Sequence, residues 1–273
     1  MTLVYSTNID KGGVGKTTIT FNGAFYLAVK KGQRVLLIDE DKSCNLTKRF
    51  KRFIDLPVPE ESTVKEFFTD SGDPQPIKIT ENIDLIAGYS ELNDLTNEVT
   101  AGKGRGYLMT WYYSHLDELE QKYDYILIDT HNDLGIFTDN AIAVSDYVLS
   151  IADIDEDAIE KLQTEETHIE KLKKAFVNPM TNKSFVTAQL LKVGNKVQSN
   201  TRDSHMFKKA FEVMQENDPT FLGYFEFRTL FAQAKTTGYS LVELEPDYTS
   251  ASYRDFFERT WSLYDKIYFR EAA

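Results

Sequence analysis

Lys11-Gly12-Gly13-Val14-Gly15-Lys16-Thr17-Thr18 decides how the rest of the chain is read. Its glycines let the backbone curl so that successive N–H groups point inward, forming a cradle for phosphate oxygens. The following run, ITFNGAFYLAVKK from Ile19 to Lys31, has a helical pattern that Gly32 ends, and its positive N-terminal end faces the same point. Lys16 then supplies a point charge to the outer phosphates, the Thr17 hydroxyl is placed to ligate Mg²⁺, and Thr18 can hydrogen-bond an inner phosphate. Leu3 to Asn8 reads as a short strand. Strand, loop and helix in that order make an ATP or GTP site, with Lys11, Gly12, Gly13, Val14, Gly15, Lys16, Thr17 and Thr18 as its contacts.

The general P-loop pattern calls for Gly at position 10, where this chain has Asp10. What fits is the deviant form, with a second lysine, Lys11, just inside the loop. Asp10 is expected to point away, because a carboxylate facing phosphate is repelled. A dinucleotide fingerprint fits worse: Gly13-Val14-Gly15 begins one, but Thr18 stands where its third Gly or Ala belongs.

Beyond the loop the chain alternates. Arg34 to Asp39, Ile83 to Ala87, Tyr125 to Asp129, Tyr147 to Ala152 and Phe185 to Leu191 are apolar runs of the kind buried on both faces of a parallel sheet. Helical patterns cover Tyr107 to Lys122, Phe137 to Val144, Asp155 to Phe176 and Asp203 to Glu216. This predicts an α/β fold, a doubly wound, mostly parallel sheet flanked by helices, with ligands at the C-terminal ends of the strands. That rule gathers Asp39, Asp41 and Asp129 on the loop's edge of the sheet. Three carboxylates there repel one another unless a cation sits among them, and Mg²⁺ resolves the conflict. Asp129, after Tyr125-Ile126-Leu127-Ile128, has the placement of a Walker B aspartate.

Composition bounds the alternatives. At 273 residues with 41% hydrophobic residues there is enough apolar surface for one large domain over 1–273, and no repeat or low-complexity linker divides it. The first strand begins almost at Met1, so no leader sequence is expected, and no apolar stretch is long enough to span a bilayer. The lone cysteine, Cys44, cannot form an intrachain disulfide or by itself hold zinc or an iron–sulfur cluster. A cytoplasmic protein is the expectation. A formal net charge of −12 works against a broad nucleic-acid surface.

At this point the residues resemble the ParA/MinD family of deviant Walker A P-loop ATPases, closest to the ParA plasmid and chromosome partition ATPases, over nearly the whole chain. The match is carried by the loop, by Val35-Leu36-Leu37-Ile38-Asp39-Glu40-Asp41 with Asn45-Leu46-Thr47, and by Tyr123 to Thr130 with Leu134-Gly135. Ala234 to Leu244 and Ser252-Tyr253-Arg254 are similar to the ParA C-terminal region. The resemblance implies a weak, partner-stimulated, Mg²⁺-dependent ATP hydrolase in which Lys11 reaches the partner's ATP across a sandwich homodimer. Lys16 would hold the β and γ phosphates, Thr17 and Asp129 the metal, Asp39 would support its shell, and Asp41 would position the attacking water. Adenine rather than guanine rests on this resemblance, with Asn195 a candidate for base contact.

The resemblance further implies a ParB-type centromere-binding adaptor, non-specific DNA binding in the ATP state, nucleoid association, and plasmid partition or chromosome segregation as the function. Candidate DNA residues are Lys48, Arg49, Lys51 and Arg52 near the first switch, and Lys196, Arg202, Lys208 and Lys209 around the helix starting near Asp203. No helix-turn-helix extension is expected before the loop. The alternative is a MinD-like switch that positions a protein complex or acts at a membrane. It would need a basic amphipathic C-terminal helix, whereas Phe256, Phe257, Trp261, Tyr264, Ile267 and Tyr268 read as the core-facing stripe of a last helix of mixed charge. An iron-protein reductase fits poorly with a single cysteine.

Two segments depart from the family pattern. Asp-Pro-Gln-Gly-Asn becomes Asp41-Lys42-Ser43-Cys44-Asn45, and Asp-Thr-Pro-Pro-Ser becomes Asp129-Thr130-His131-Asn132-Asp133. Both have lost proline, which predicts looser switch loops in the absence of nucleotide.

Overall fold

The computed structural model describes residues 1–69, 72–95, 106–153, 157–198 and 202–270. Eight strands form one sheet: β1 (Leu3–Thr7), β2 (Val35–Glu40), β3 (Ile77–Thr80), β4 (Ile83–Ile86), β5 (Tyr125–Thr130), β6 (Tyr147–Ala152), β7 (Gln189–Val197) and β8 (Phe221–Glu226). Their order is β3-β4-β2-β5-β1-β6-β7-β8, parallel throughout except for the β3–β4 pair. The expected doubly wound sheet is therefore present. β1 lies at its centre between β5 and β6, where the winding reverses, and parallel sheets open their ligand crevice at such a point.

The apolar runs become strands because both faces are covered. Every residue of β2 and of β5 is buried. One face packs under helix α1 (Lys16–Phe25) and the last helix (Ala251–Tyr268), the other under helices that include Tyr107–Ser114 and Ile136–Val144. Along the last helix Phe256, Phe257, Tyr264, Ile267 and Tyr268 are buried and Trp261 is half-buried. Its apolar stripe is thus occupied by the protein's own core. Tyr264 fastens the helix to α1 by donating to the Ile19 carbonyl at 3.0 Å. Among the described residues no helix is long and apolar enough to cross a membrane.

Several spans differ from expectation, each for a local reason. α1 starts at Lys16 rather than Ile19 and continues as a π-helical turn, Tyr26–Lys30, before Gly32. The span Tyr107 to Lys122 is two helices, broken at His115. β7 runs later than Phe185 to Leu191, through Lys192, Gly194 and Asn195. A lysine can lie in that buried strand because Glu166 and Asp218 pair with its ammonium at 3.1 and 3.0 Å. β3 and β8, four and six residues long, were not anticipated; Gly223, at φ 145, interrupts the second of these.

Candidate nucleotide site

The loop after β1 closes over the end of α1 as its glycines require. Gly13 and Gly15 have φ of 77° and 110°, in the left-handed region where a side chain is strained. A Cβ on Gly15 would also lie 2.4 Å from the Asn195 amide nitrogen. That amide donates to the Val14 carbonyl at 2.6 Å, so Asn195 braces the underside of the loop. Asp10 points away as expected, with its carboxylate 3.6 Å from Lys161.

A cleft of about 470 Å³ opens above the loop, lined among others by Gly12 to Thr18, Asp41, Arg49 and Asn132. Lys16 is buried at its floor, its ammonium donating to the carbonyls of Ile9 and Lys11 at 3.3 and 3.2 Å. Burial pulls its pKa below the ordinary lysine value, while Asp129 and then Asp41 oppose that shift.

β2 and β5 bring the predicted carboxylates together. Asp39 and Asp129 are register partners, and Thr7 of β1 pairs with Asp129 from the other side. The two buried acids nevertheless differ. Asp39 Oδ2 accepts from the Thr47 amide at 2.8 Å and from its hydroxyl at 2.6 Å, which ties β2 to helix α2 (Asn45–Arg49). Burial pushes Asp39 up to about 6 against those hydrogen bonds. Both oxygens of Asp129 are buried without a hydrogen bond of good geometry. Its pKa is raised, by burial first and the Asp39 charge next, with the Thr17 hydroxyl and Lys16 near enough to pull the other way. A carboxylate in this state is complete only when a cation reaches it. No cluster of three or more His, Cys, Asp or Glu that could hold a metal occurs among the described residues. The Asp129 carboxyl with the Thr17 hydroxyl beside it is an oxygen donor set of the kind that suits Mg²⁺, which binds through one or two protein oxygens plus phosphates and water.

Asp41 lies at the cleft wall, with Oδ1 accepting from the Ser43 amide at 2.8 Å. Cys44, where the family pattern has glycine, has φ of 49° and starts α2 in the left-handed region. In the second switch segment Asp133 accepts from the Gly135 amide at 3.0 Å and lies 3.0 Å from the His131 ring. Those local bonds hold the turn into the following helix where proline is missing.

Lys11 is held within its own subunit, 3.0 Å from Asp153 and 2.9 Å from Asp157. Neither acid was singled out from the sequence. Asp153 could have been, since it directly follows the apolar run of β6 on the same sheet edge as Asp39 and Asp129. Glu40 was also passed over, though a glutamate inside a continuous apolar run is a visible anomaly. Its Oε1 accepts from the Tyr107 hydroxyl and its Oε2 is buried without a partner.

The basic residues expected to meet DNA separate into groups. Lys48, Lys51, Arg52, Arg202 and Lys209 are exposed, and Lys196 and Lys208 are half-buried. Arg52 stacks on Tyr239 at 3.4 Å and pairs with Glu243 at 3.2 Å. Arg49 is a correction: it is only 6% exposed and turned inward onto Thr18 and Phe21, so it cannot belong to a surface patch.

Comparison with known proteins agrees with this geometry. The AAA domain family matches residues 3–185. The sporulation initiation inhibitor protein Soj of Bacillus subtilis is 34% identical over 142 residues, which are 51% of this chain and 54% of Soj. The chain spans about half the length of this and of a Chlamydia psittaci ParA family protein that it also matches. A plasmid partition protein from Borrelia burgdorferi, bound to AMPPNP, superposes with a TM-score of 0.77 over 98% of both chains at 23% identity. Cyanothece McdA, as a point variant in complex with ATP, gives 0.76 over 100% of this chain and 98% of its own, at 18% identity. At such identities these structures speak for the fold. With the phosphate loop, the paired carboxylates beneath it and the family match over most of the chain, the protein belongs to the ParA/MinD family of P-loop ATPases, a family of nucleoside triphosphate hydrolases.

Proposed function

We propose that this chain is an ATPase that binds ATP with Mg²⁺ in the loop cleft, pairs into a nucleotide-sandwich homodimer, and in that state binds DNA non-specifically to drive plasmid or chromosome partition with a ParB-type adaptor. The observation that carries the nucleotide part is Asp129, a buried acid beside Lys16 and Thr17 whose two oxygens lack a hydrogen bond of good geometry. Thr17 and Asp129 would hold Mg²⁺, which supplies charge neutralisation to the β and γ phosphate oxygens. Lys16 leaves its two carbonyl partners for those oxygens. Asp39 fixes α2 and the first switch through Thr47, supporting the metal shell indirectly. Asp41, at the cleft wall, orients the attacking water. Lys11 exchanges Asp153 and Asp157 for the partner's nucleotide, so loss of the γ-phosphate loosens the dimer.

A second reading is favoured by one observation. The net charge of −12 doubles on dimerisation and opposes DNA, which fits a switch that positions a protein complex instead. Self-association and retention on arbitrary DNA, measured side by side with ADP, ATP and a non-hydrolysable analogue at low salt, separate the two. The first reading expects an ATP-dependent dimer that is retained, with binding falling steeply as salt rises. A dimer that forms but ignores DNA would favour the second.

A further inference from the structure

Arg49 ends helix α2 with its guanidinium inside the protein, at 6% exposure, yet it still lines the nucleotide cleft. Among the described residues it has no ion-pair partner. Its Nη2 donates to the Thr18 hydroxyl oxygen at 2.7 Å, and its Cζ lies 5.5 Å from the centre of the Phe21 ring. Nη1 is buried with no hydrogen-bond partner. A guanidinium carries five donors in a rigid fork suited to phosphate and cannot neutralise itself at physiological pH. Burial pulls Arg49 down to about 10, with the Asp129 charge opposing, so it stays a cation. An enclosed cation with no direct ion pair is costly, and the cost falls when an anion arrives.

Thr18 tells which part of the ligand is reached. The Arg49 bond occupies a lone pair of the Thr18 hydroxyl and leaves its hydrogen free to be donated, and Thr18 lines the cleft at the position expected to meet an inner phosphate. Unpartnered Nη1 belongs to the same fork. Thr47, two residues earlier on α2, is the residue bound to Asp39. The first switch is thereby connected to the far end of the phosphate chain.

We infer that Arg49 is an additional phosphate-binding residue acting in its own subunit, holding the inner phosphates of the bound nucleotide with Thr18 while Lys16 and Lys11 meet the outer ones. This rests on the nucleotide reading of the cleft. Because inner phosphates are common to ATP and ADP, Arg49 sets the affinity for both and leaves discrimination between them to the lysines.

Arg49→Met, of similar length and without charge, and Arg49→Lys test this with two readouts: the melting temperature of the ligand-free protein, and titration with ADP and with AMPPNP in Mg²⁺. Arg49→Met should melt no lower than the wild type, because an unpaired buried charge is gone. It should bind ADP and AMPPNP more weakly by a similar factor, roughly 10- to 100-fold, the loss of a charge-assisted hydrogen bond. Arg49→Lys should fall between the two. A lowered melting temperature in Arg49→Met with unchanged ADP affinity would make Arg49 a structural bracket for Thr18 and overturn the inference. If the folded wild type itself took up neither nucleotide, the reading of the cleft would fail instead.

Discussion

Burial favours the protonated form of Glu40 in the fold, so Glu40→Gln should gain on the wild type as pH rises above the ordinary glutamate range, where the unfolded acid ionises and the folded one resists. The residue lies between Asp39 and Asp41 in the sequence, but its side chain enters the opposite layer, where its partner is the Tyr107 hydroxyl. Among the described residues no cation pairs with it. Burial pushes it from its ordinary 4.5 up to about 8; the Tyr107 hydrogen bond opposes this and the Asp39 charge adds to it. The folded value is raised above the unfolded one. The stability from keeping the proton is therefore complete below about 4.5 and is lost progressively as pH rises through about 8. At about 1.4 kcal/mol per tenfold displacement of the acid constant the ceiling is near 5 kcal/mol. Local relaxation and water entry reduce such penalties, so roughly 2–4 kcal/mol is expected. Gln reproduces the shape and acceptor of the protonated acid without its titration. Urea unfolding of both proteins at pH 5, 6, 7, 8 and 9 should give nearly equal stabilities at pH 5 and a growing advantage for Glu40→Gln above it. Stability curves that stay parallel from pH 5 to 9 would mean that Glu40 is already charged in the fold, and the reasoning about its surroundings would be wrong.

The carboxylates of the site give three further predictions. Asp129→Asn should raise the melting temperature of the ligand-free protein and abolish the Mg²⁺ dependence of nucleotide affinity by titration; unchanged Mg²⁺ dependence would remove Asp129 as the metal ligand. Asp41→Ala should keep ATP affinity within a few-fold while turnover falls at least 100-fold, and a normal rate of phosphate release would take Asp41 out of the mechanism. Asp153→Asn should ease the release of Lys11, since its pair with Asp153 is about four-fifths screened from water. At about 1 kcal/mol for each lysine freed, the ATP-driven dimer should tighten roughly 10- to 30-fold in sedimentation equilibrium, and an unchanged dimer constant would deny Lys11 a role across the interface.

What could be read in the sequence is what short range determines. Gly13 and Gly15 are needed by the backbone angles of their own loop, and the aspartates at positions 39 and 129 end apolar runs whose burial on both faces follows from composition. The location of β7 was less visible because Lys192 interrupts its apolar pattern, and only the tertiary fold brings Glu166 and Asp218 to that lysine. The partners of Lys11 lie more than 140 residues away, where no local pattern points to them. Arg49 looked like part of a basic run, Lys48 to Arg52, and nothing nearby in sequence says that one of its members turns inward beneath Thr18. The state of Glu40 depends likewise on Tyr107 arriving from another layer.

These long-range features share a cause that bears on which ligand the cleft takes. Asp129 is an enclosed acid whose oxygens lack a hydrogen bond of good geometry, and Arg49, at the cleft wall, is an enclosed cation lacking an ion-pair partner among the described residues. Each raises the free energy of the empty protein, and although the Asp129 charge eases Arg49 from a distance, no salt bridge joins them among the described residues. A bare metal ion would satisfy Asp129 and worsen the position of Arg49; a bare anion would do the reverse. A ligand that carries both signs a few ångströms apart relieves both, and a polyphosphate with its divalent ion has that form. The same opposition explains why the folded chain can tolerate the strain: each group is costly only until the ligand binds, so the free energy stored in the empty site adds to nucleotide affinity when Mg²⁺ and phosphate arrive together. It follows that Mg²⁺ and nucleotide should bind with positive coupling, each raising the affinity for the other by the same factor, and that this factor should shrink when either Asp129 or Arg49 is neutralised.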